Sequence, residues 1–116
     1  MKADPLPALV APDSFKGTFS ATEVAAAIAA GLRAAGREVR ELPVADGGEG
    51  TMAVLVAALG GDVRTITASD PLGRPVEASF ALLPDGAAVV EMAQASGLGL
   101  VEEADRDAWA ASTRGT

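Results

Sequence analysis

Over its first seventy residues the chain alternates short apolar runs with amphipathic stretches, and no other feature constrains its fold so strongly. Ala8-Leu9-Val10-Ala11 is a continuous apolar run stopped by Pro12, the pattern of a strand buried on both faces. Ser20-Ala21-Thr22-Glu23 then spells a capping box, with Phe19 placed to staple onto Val24. The helix it opens presents Val24, Ile28 and Leu32 inward. Gly36 is its expected cap, and Arg33 and Arg37 complement its dipole. Glu38 to Val44 alternates as a second strand, edge-like because Pro43 has no N–H to donate. Met52, Leu55, Val56 and Leu59 mark a second helix closed by Gly60-Gly61, and residues 62 to 68 a third strand.

The resulting β-α-β-α-β order implies an α/β fold with a right-handed parallel sheet, in which ligands collect at the carboxyl ends of strands. Residues 69 to 75 form a turn-rich connector. Two further strands, from Val76 to Leu83 and from Ala87 to Met92, flank the hairpin turn Pro84-Asp85-Gly86. Ala93 to Gly99 reads as a loop or short helix, and Glu102 to Trp109 as a short acidic helix. The expected organisation places residues 1–70 in one α/β domain, with residues 71–116 as connector, hairpin and the start of a second.

Both strand-to-helix crossings are polar. Asp13-Ser14-Phe15-Lys16-Gly17-Thr18 offers a carboxylate, hydroxyls and an ammonium where packing needs none of them. Lys16 suits phosphate or carboxylate oxygens, Ser14 and the backbone amides can donate, and Asp13 can take a proton or hold a cation. Asp46-Gly47-Gly48-Glu49-Gly50-Thr51 places three glycines in four positions at a helix start, where backbone can approach a ligand closely. The plainer reading is local capping and turn formation by the same residues. The expectation is that the two loops line one polar site. Arg74 after a turn, and Glu91 with Ser96 around a small-residue segment, are further candidates for ligand contact.

Composition narrows the chemistry. With no Cys and no His among 116 residues, thiolate and imidazole catalysis and ordinary zinc sites are excluded for these residues. A formal net charge of -7, one Trp and no Tyr argue against a nucleic-acid or anionic membrane surface. The apolar run after Met1-Lys2-Ala3-Asp4-Pro5 is too short for a secretory or membrane segment, which suggests a cytoplasmic chain. Gly48-Glu49-Gly50-Thr51-Met52-Ala53 also fits a dinucleotide fingerprint, with Asp70 about twenty residues on. Two carboxylates beside a pyrophosphate are unfavourable there unless Mg²⁺ intervenes. No Walker A pattern occurs.

Four motifs in order, Ala11-Pro12-Asp13-Ser14-Phe15-Lys16-Gly17, Leu42-Pro43-Val44-Ala45-Asp46-Gly47-Gly48-Glu49-Gly50-Thr51, Pro71-Leu72-Gly73-Arg74-Pro75-Val76 and Glu91-Met92-Ala93-Gln94-Ala95-Ser96-Gly97-Leu98, resemble the bacterial glycerate kinase family. The resemblance runs from about Leu9 onward. It implies ATP-dependent phosphorylation of a hydroxyl of glycerate, a two-domain α/β fold and Mg²⁺. It also implies a longer protein, because Ala111-Ser112-Thr113-Arg114-Gly115-Thr116 is similar to the start of a family motif that continues further. The chain is then an amino-terminal fragment, expected to be inactive without the remainder of the polypeptide. Two departures stand out: an additional lead at Ala3 to Pro7, and the sequence around Trp109.

On this resemblance Asp13, Lys16 and Asp46 are the catalytic candidates, with Asp13 or Asp46 as base or metal ligand. Ser14, Gly17, Gly47, Gly48, Glu49, Gly50, Arg74, Glu91 and Ser96 are the candidates for holding substrate or nucleotide. Asp46 and Glu49 are the candidates for Mg²⁺. The alternatives are an NAD(P)-dependent oxidoreductase and a non-catalytic hydroxy-acid binding module.

Overall fold

The structure, a computed structural model, describes residues 6–116; the first part of the additional lead, through Pro5, lies outside them. By its internal contacts the chain divides after Asp46 into two compact units.

In the first unit, strand β1 (Ala8–Val10) pairs in parallel with β2 (Val39–Glu41), in the register Ala8↔Val39 to Val10↔Glu41. Helix α1 (Ala21–Ala34) makes the crossover and packs on both strands. Its start follows from the capping box. The Ser20 hydroxyl accepts the Glu23 N–H, and the Glu23 carboxylate accepts both the Ser20 N–H and the Ser20 hydroxyl at 2.8 Å. These bonds, the backbone one foremost, hold the Glu23 carboxyl below its ordinary pKa.

The helix ends as expected at Gly36, which takes the left-handed conformation at φ 76°. Gly36 N–H bonds the Arg33 carbonyl and Arg37 N–H the Leu32 carbonyl, a Schellman closure. Arg33 also pairs with Glu41 of β2 at 2.8 Å. The buried face differs from the expected one. It is Ala21, Val24, Ala25 and Ala29, whereas Ile28 is 45% exposed. Three of these four are alanines, so most of the buried face is made of small side chains.

The second unit opens with helix α2 (Thr51–Leu59), ended by Gly60. Strands β3 (Asp62–Ser69), β4 (Pro75–Leu82) and β5 (Ala88–Val90) form an antiparallel sheet in that order. Here the expected topology is corrected: the third strand does not extend the parallel sheet. It pairs with β4 along its whole length, from Asp62↔Leu82 to Ser69↔Pro75. The connector 70–74 is a tight turn that sends the chain straight back, and only antiparallel strands accept so short a link. The α/β class holds, and among the described residues parallel pairing is confined to β1 and β2.

The second hairpin is as expected. Leu83 N–H bonds the Ala87 carbonyl, Gly86 N–H bonds the Leu83 carbonyl, and the Asp85 carboxylate accepts the Ala87 N–H. Helix α3 (Ala93–Ser96) and a 3₁₀ turn at Leu98–Leu100 follow. The acidic helix expected over Glu102 to Trp109 is only a 3₁₀ turn at Glu103–Asp105. Asp107 diverts the chain there by accepting the Trp109 and Ala110 N–H groups on its own carboxylate, and Trp109 is left 99% exposed. No helix among the described residues is long and apolar enough to cross a membrane.

Candidate functional site

Because β1 and β2 are parallel, both loops leave the same edge of their sheet. Two bonds carry the pairing past the strands proper: Leu42 N–H to the Val10 carbonyl at 2.8 Å, and Val44 N–H to the Pro12 carbonyl at 3.0 Å. Asp13 lies one residue, and Asp46 two residues, beyond the last of these bonded positions, and both are exposed. The carboxyl edge of the first unit thus carries two of the three expected catalytic residues.

The third, Lys16, rides on a miniature hairpin. Phe15 and Phe19 exchange backbone bonds at 2.9 and 3.1 Å, Thr18 N–H bonds the Phe15 carbonyl, and Gly17 makes the turn with φ 71°. Lys16 therefore sits exposed at the tip. The Ser14 N–H donates to Asp13 Oδ1 at 2.7 Å, which orients that carboxylate against its own backbone.

Asp46 closes the first unit and Gly47 opens the second. Gly47 and Gly50 adopt φ values of 99° and 92°, which side chains resist, so the turn depends on glycine at these places. The Thr51 hydroxyl donates to the Gly48 carbonyl at 2.8 Å, drawing the loop back onto the helix start. Gly50 occupies the N-cap position without a side chain to cap with. The acceptor comes instead from Glu91, just past β5, whose Oε1 accepts the Met52 N–H at 2.6 Å. Glu49 is exposed.

Arg74 and Asp70 form the β3–β4 turn. Asp70 Oδ1 accepts the Leu72 and Arg74 N–H groups at 2.9 and 2.8 Å, and Oδ2 accepts Arg74 Nε at 2.6 Å. Burial pushes the Asp70 pKa up, but the Arg74 and Leu72 donors and the Arg74 charge outweigh it and leave the carboxyl below its ordinary value. The bond to Asp70 likewise raises the Arg74 pKa, against its own desolvation. Arg74 further donates to the Leu100 carbonyl at 3.2 Å and approaches Asp105 at 3.6 Å. Ser96 shares a 2.6 Å hydroxyl contact with Thr116. Arg74, Glu91 and Ser96, expected to reach a ligand, are thus all engaged with protein groups. The role of Asp70 was missed in the sequence, although an aspartate opening Asp70-Pro71-Leu72-Gly73 is a turn signal.

The dinucleotide alternative loses its context in this geometry. It needs α2 to lead into a parallel strand and an acidic residue left for the ribose. Here β3 is antiparallel to β4, and Asp70 is buried in its turn. For a metal, no group of three or more ligating side chains occurs among the described residues. Mg²⁺ does not require one, since it is commonly held by one or two carboxylates together with phosphate oxygens and water. Exposed Asp46 and Glu49 are oxygen donors of the kind such an ion takes.

The parallel β1–β2 pair with its crossover helix, together with the antiparallel β3–β4–β5 sheet, defines a mixed α/β chain. The family model described as "Glycerate kinase family" matches residues 8–116, and the chain belongs to that family. A glycerate kinase of Bacillus subtilis is 49% identical over 111 residues, which are 93% of this chain and 29% of that protein. A glycerate 2-kinase of Escherichia coli is 45% identical over the same share of each. A crystal structure of a candidate glycerate kinase 2 from Salmonella typhimurium superposes with a TM-score of 0.76 at 40% identity, covering 97% of this chain and 31% of that one. The chain thus spans under a third of the length of the relatives it matches.

Proposed function

We propose that the whole protein transfers the terminal phosphoryl group of ATP to a hydroxyl of glycerate. The observation that carries this reading is the family match through the two acidic loops, with Asp13 and Asp46 leaving one edge of the β1–β2 sheet. Phosphoryl transfer demands positioning and charge neutralisation more than covalent chemistry, so a segment without Cys or His is equal to it.

Lys16, Ser14 and the amides around Gly17 and Gly47 to Gly50 hold anionic oxygens of glycerate or ATP. One of Asp13 and Asp46 accepts the proton of the attacking hydroxyl. The other would serve as a ligand for Mg²⁺, for which Asp46 and Glu49 are the candidate carboxylates; the ion would neutralise phosphate oxygens. The remainder of the polypeptide, a cytoplasmic setting and a second domain opening within residues 71–116 belong to the same reading.

The test uses the full-length enzyme in a coupled ADP-release assay with glycerate. Asp13→Asn and Asp46→Asn are each expected to lower kcat by about a hundredfold or more with little change in thermal stability. A variant that keeps near-normal kcat removes its aspartate from the mechanism. Residues 1–116 alone are expected to release no ADP, and glycerate turnover by them would overturn that part of the proposal. Glycerate binding by the full-length protein without ATP consumption would favour the non-catalytic binding module. Phosphorus NMR of the product decides between the 2- and the 3-hydroxyl.

A further inference from the structure

Glu91 is a carboxylate only 6% exposed, at a place where ordinary packing would put an apolar side chain. Its Oε1 accepts the Met52 N–H at 2.6 Å, and Oε2 receives Gln94 Nε2 at 3.5 Å. Gln94 in turn accepts the Ser79 N–H of β4 at 3.3 Å. Met52 is the second residue of α2, so its N–H has no acceptor within the helix. A cap usually comes from the adjacent N-cap side chain, on a backbone in the extended region. Gly50 stands at φ 92° instead, a conformation that a serine or aspartate would resist. The turn that opens the loop to a ligand therefore excludes the local cap, and the fold brings one from 39 residues away.

We infer that Glu91 is a positioning residue: its carboxylate caps α2 from outside and so fixes the glycine loop Gly47 to Gly50 in the shape that receives an anionic ligand. The inference rests on the kinase reading above for what the loop receives, but the cap itself does not. The charge suits the task, because a carboxylate is favoured at the positive end of a helix. Its surroundings argue against direct ligand contact. The cavity that Glu91 borders with Gln94 and Phe80 is about 110 Å³, well short of the ~300 Å³ at which small-molecule pockets begin. Since Glu91 takes the Met52 amide, that helix donor is not left for an incoming anion. Ordering the loop beforehand removes part of the entropy cost of binding.

The test compares Glu91→Gln, which keeps an oxygen acceptor for Met52, with Glu91→Ala, which does not, in the full-length protein. Amide hydrogen exchange over residues 47–59, read by mass spectrometry, is expected to quicken about tenfold or more in Glu91→Ala and less than about threefold in Glu91→Gln. The kcat for glycerate phosphorylation should follow the same order, with the Gln variant restoring most of what Ala loses. Native exchange in Glu91→Ala overturns the cap. Equal loss of kcat in both variants with native exchange assigns the carboxylate to ligand or metal instead. Should Glu91→Ala fail to fold, Glu91→Gln decides alone: native exchange with about a hundredfold loss of kcat overturns the positioning role. If the wild-type protein does not phosphorylate glycerate, the kinase reading fails, while the exchange comparison still tests the cap.

Discussion

Asp70 shows how much one side chain can organise. Its two oxygens gather two backbone donors and a guanidinium into the turn that sets β3 against β4. Its folded pKa lies below the unfolded one, so the unfolded chain takes up the proton first as pH falls. The stability it contributes is fully present above the unfolded value and is lost as pH drops through the folded value. Asp70→Asn keeps an acceptor for the backbone donors but gives up the ion pair with Arg74. Urea denaturation at neutral pH should therefore find the variant less stable than wild type, with the gap closing as pH is taken below the carboxylate range. A gap that stays constant with pH would show that the charge is not what matters.

Elements whose signals are local were legible in the sequence. Helix α1 could be read from Ser20 and Glu23 at one end and Gly36 at the other, because both closures involve neighbours in the chain. The hairpin at Pro84-Asp85-Gly86 was legible for the same reason, and so was the placing of Asp13 and Asp46 at strand ends. The direction of β3 was not, since alternating residues do not record which strand will pair beside them. Nor was the Glu91 cap, whose partner lies 39 residues distant. Glycines at element boundaries offer a test of packing. A β-carbon at Gly61, between α2 and β3, would lie 2.6 Å from the Leu82 carbonyl oxygen on a backbone with φ 137°. Gly61→Ala should cost about 1–3 kcal/mol in chemical denaturation. Gly31, inside α1, has nothing within 4 Å of that position, so Gly31→Ala should stabilise by up to about 1 kcal/mol. Equal effects at the two sites would refute the close approach at Gly61.

At the scale of the chain, β3 is an edge of its sheet among the described residues and carries Val63 and Ile66, each 53% exposed. An eight-residue edge with exposed apolar side chains is a template for pairing with another chain. Residues 1–116 should therefore self-associate with rising concentration in sedimentation velocity, and Ile66→Lys should suppress it. The two sheets also differ in how they come together. Strands β3 and β4 meet across a short turn in eight register pairs, whereas β1 and β2 meet in three, across a crossover that includes all of α1. Closing the longer loop costs more chain entropy and is rewarded by fewer ladder bonds. As the chain leaves the ribosome, the β1–β2 residues emerge first yet complete their pairing only after the crossover helix is made. The later hairpin can zip as soon as it appears. The strand pair that presents Asp13 and Asp46 is thus the more lightly fastened of the two, and a ligand held by both aspartates would act as a late clasp on it.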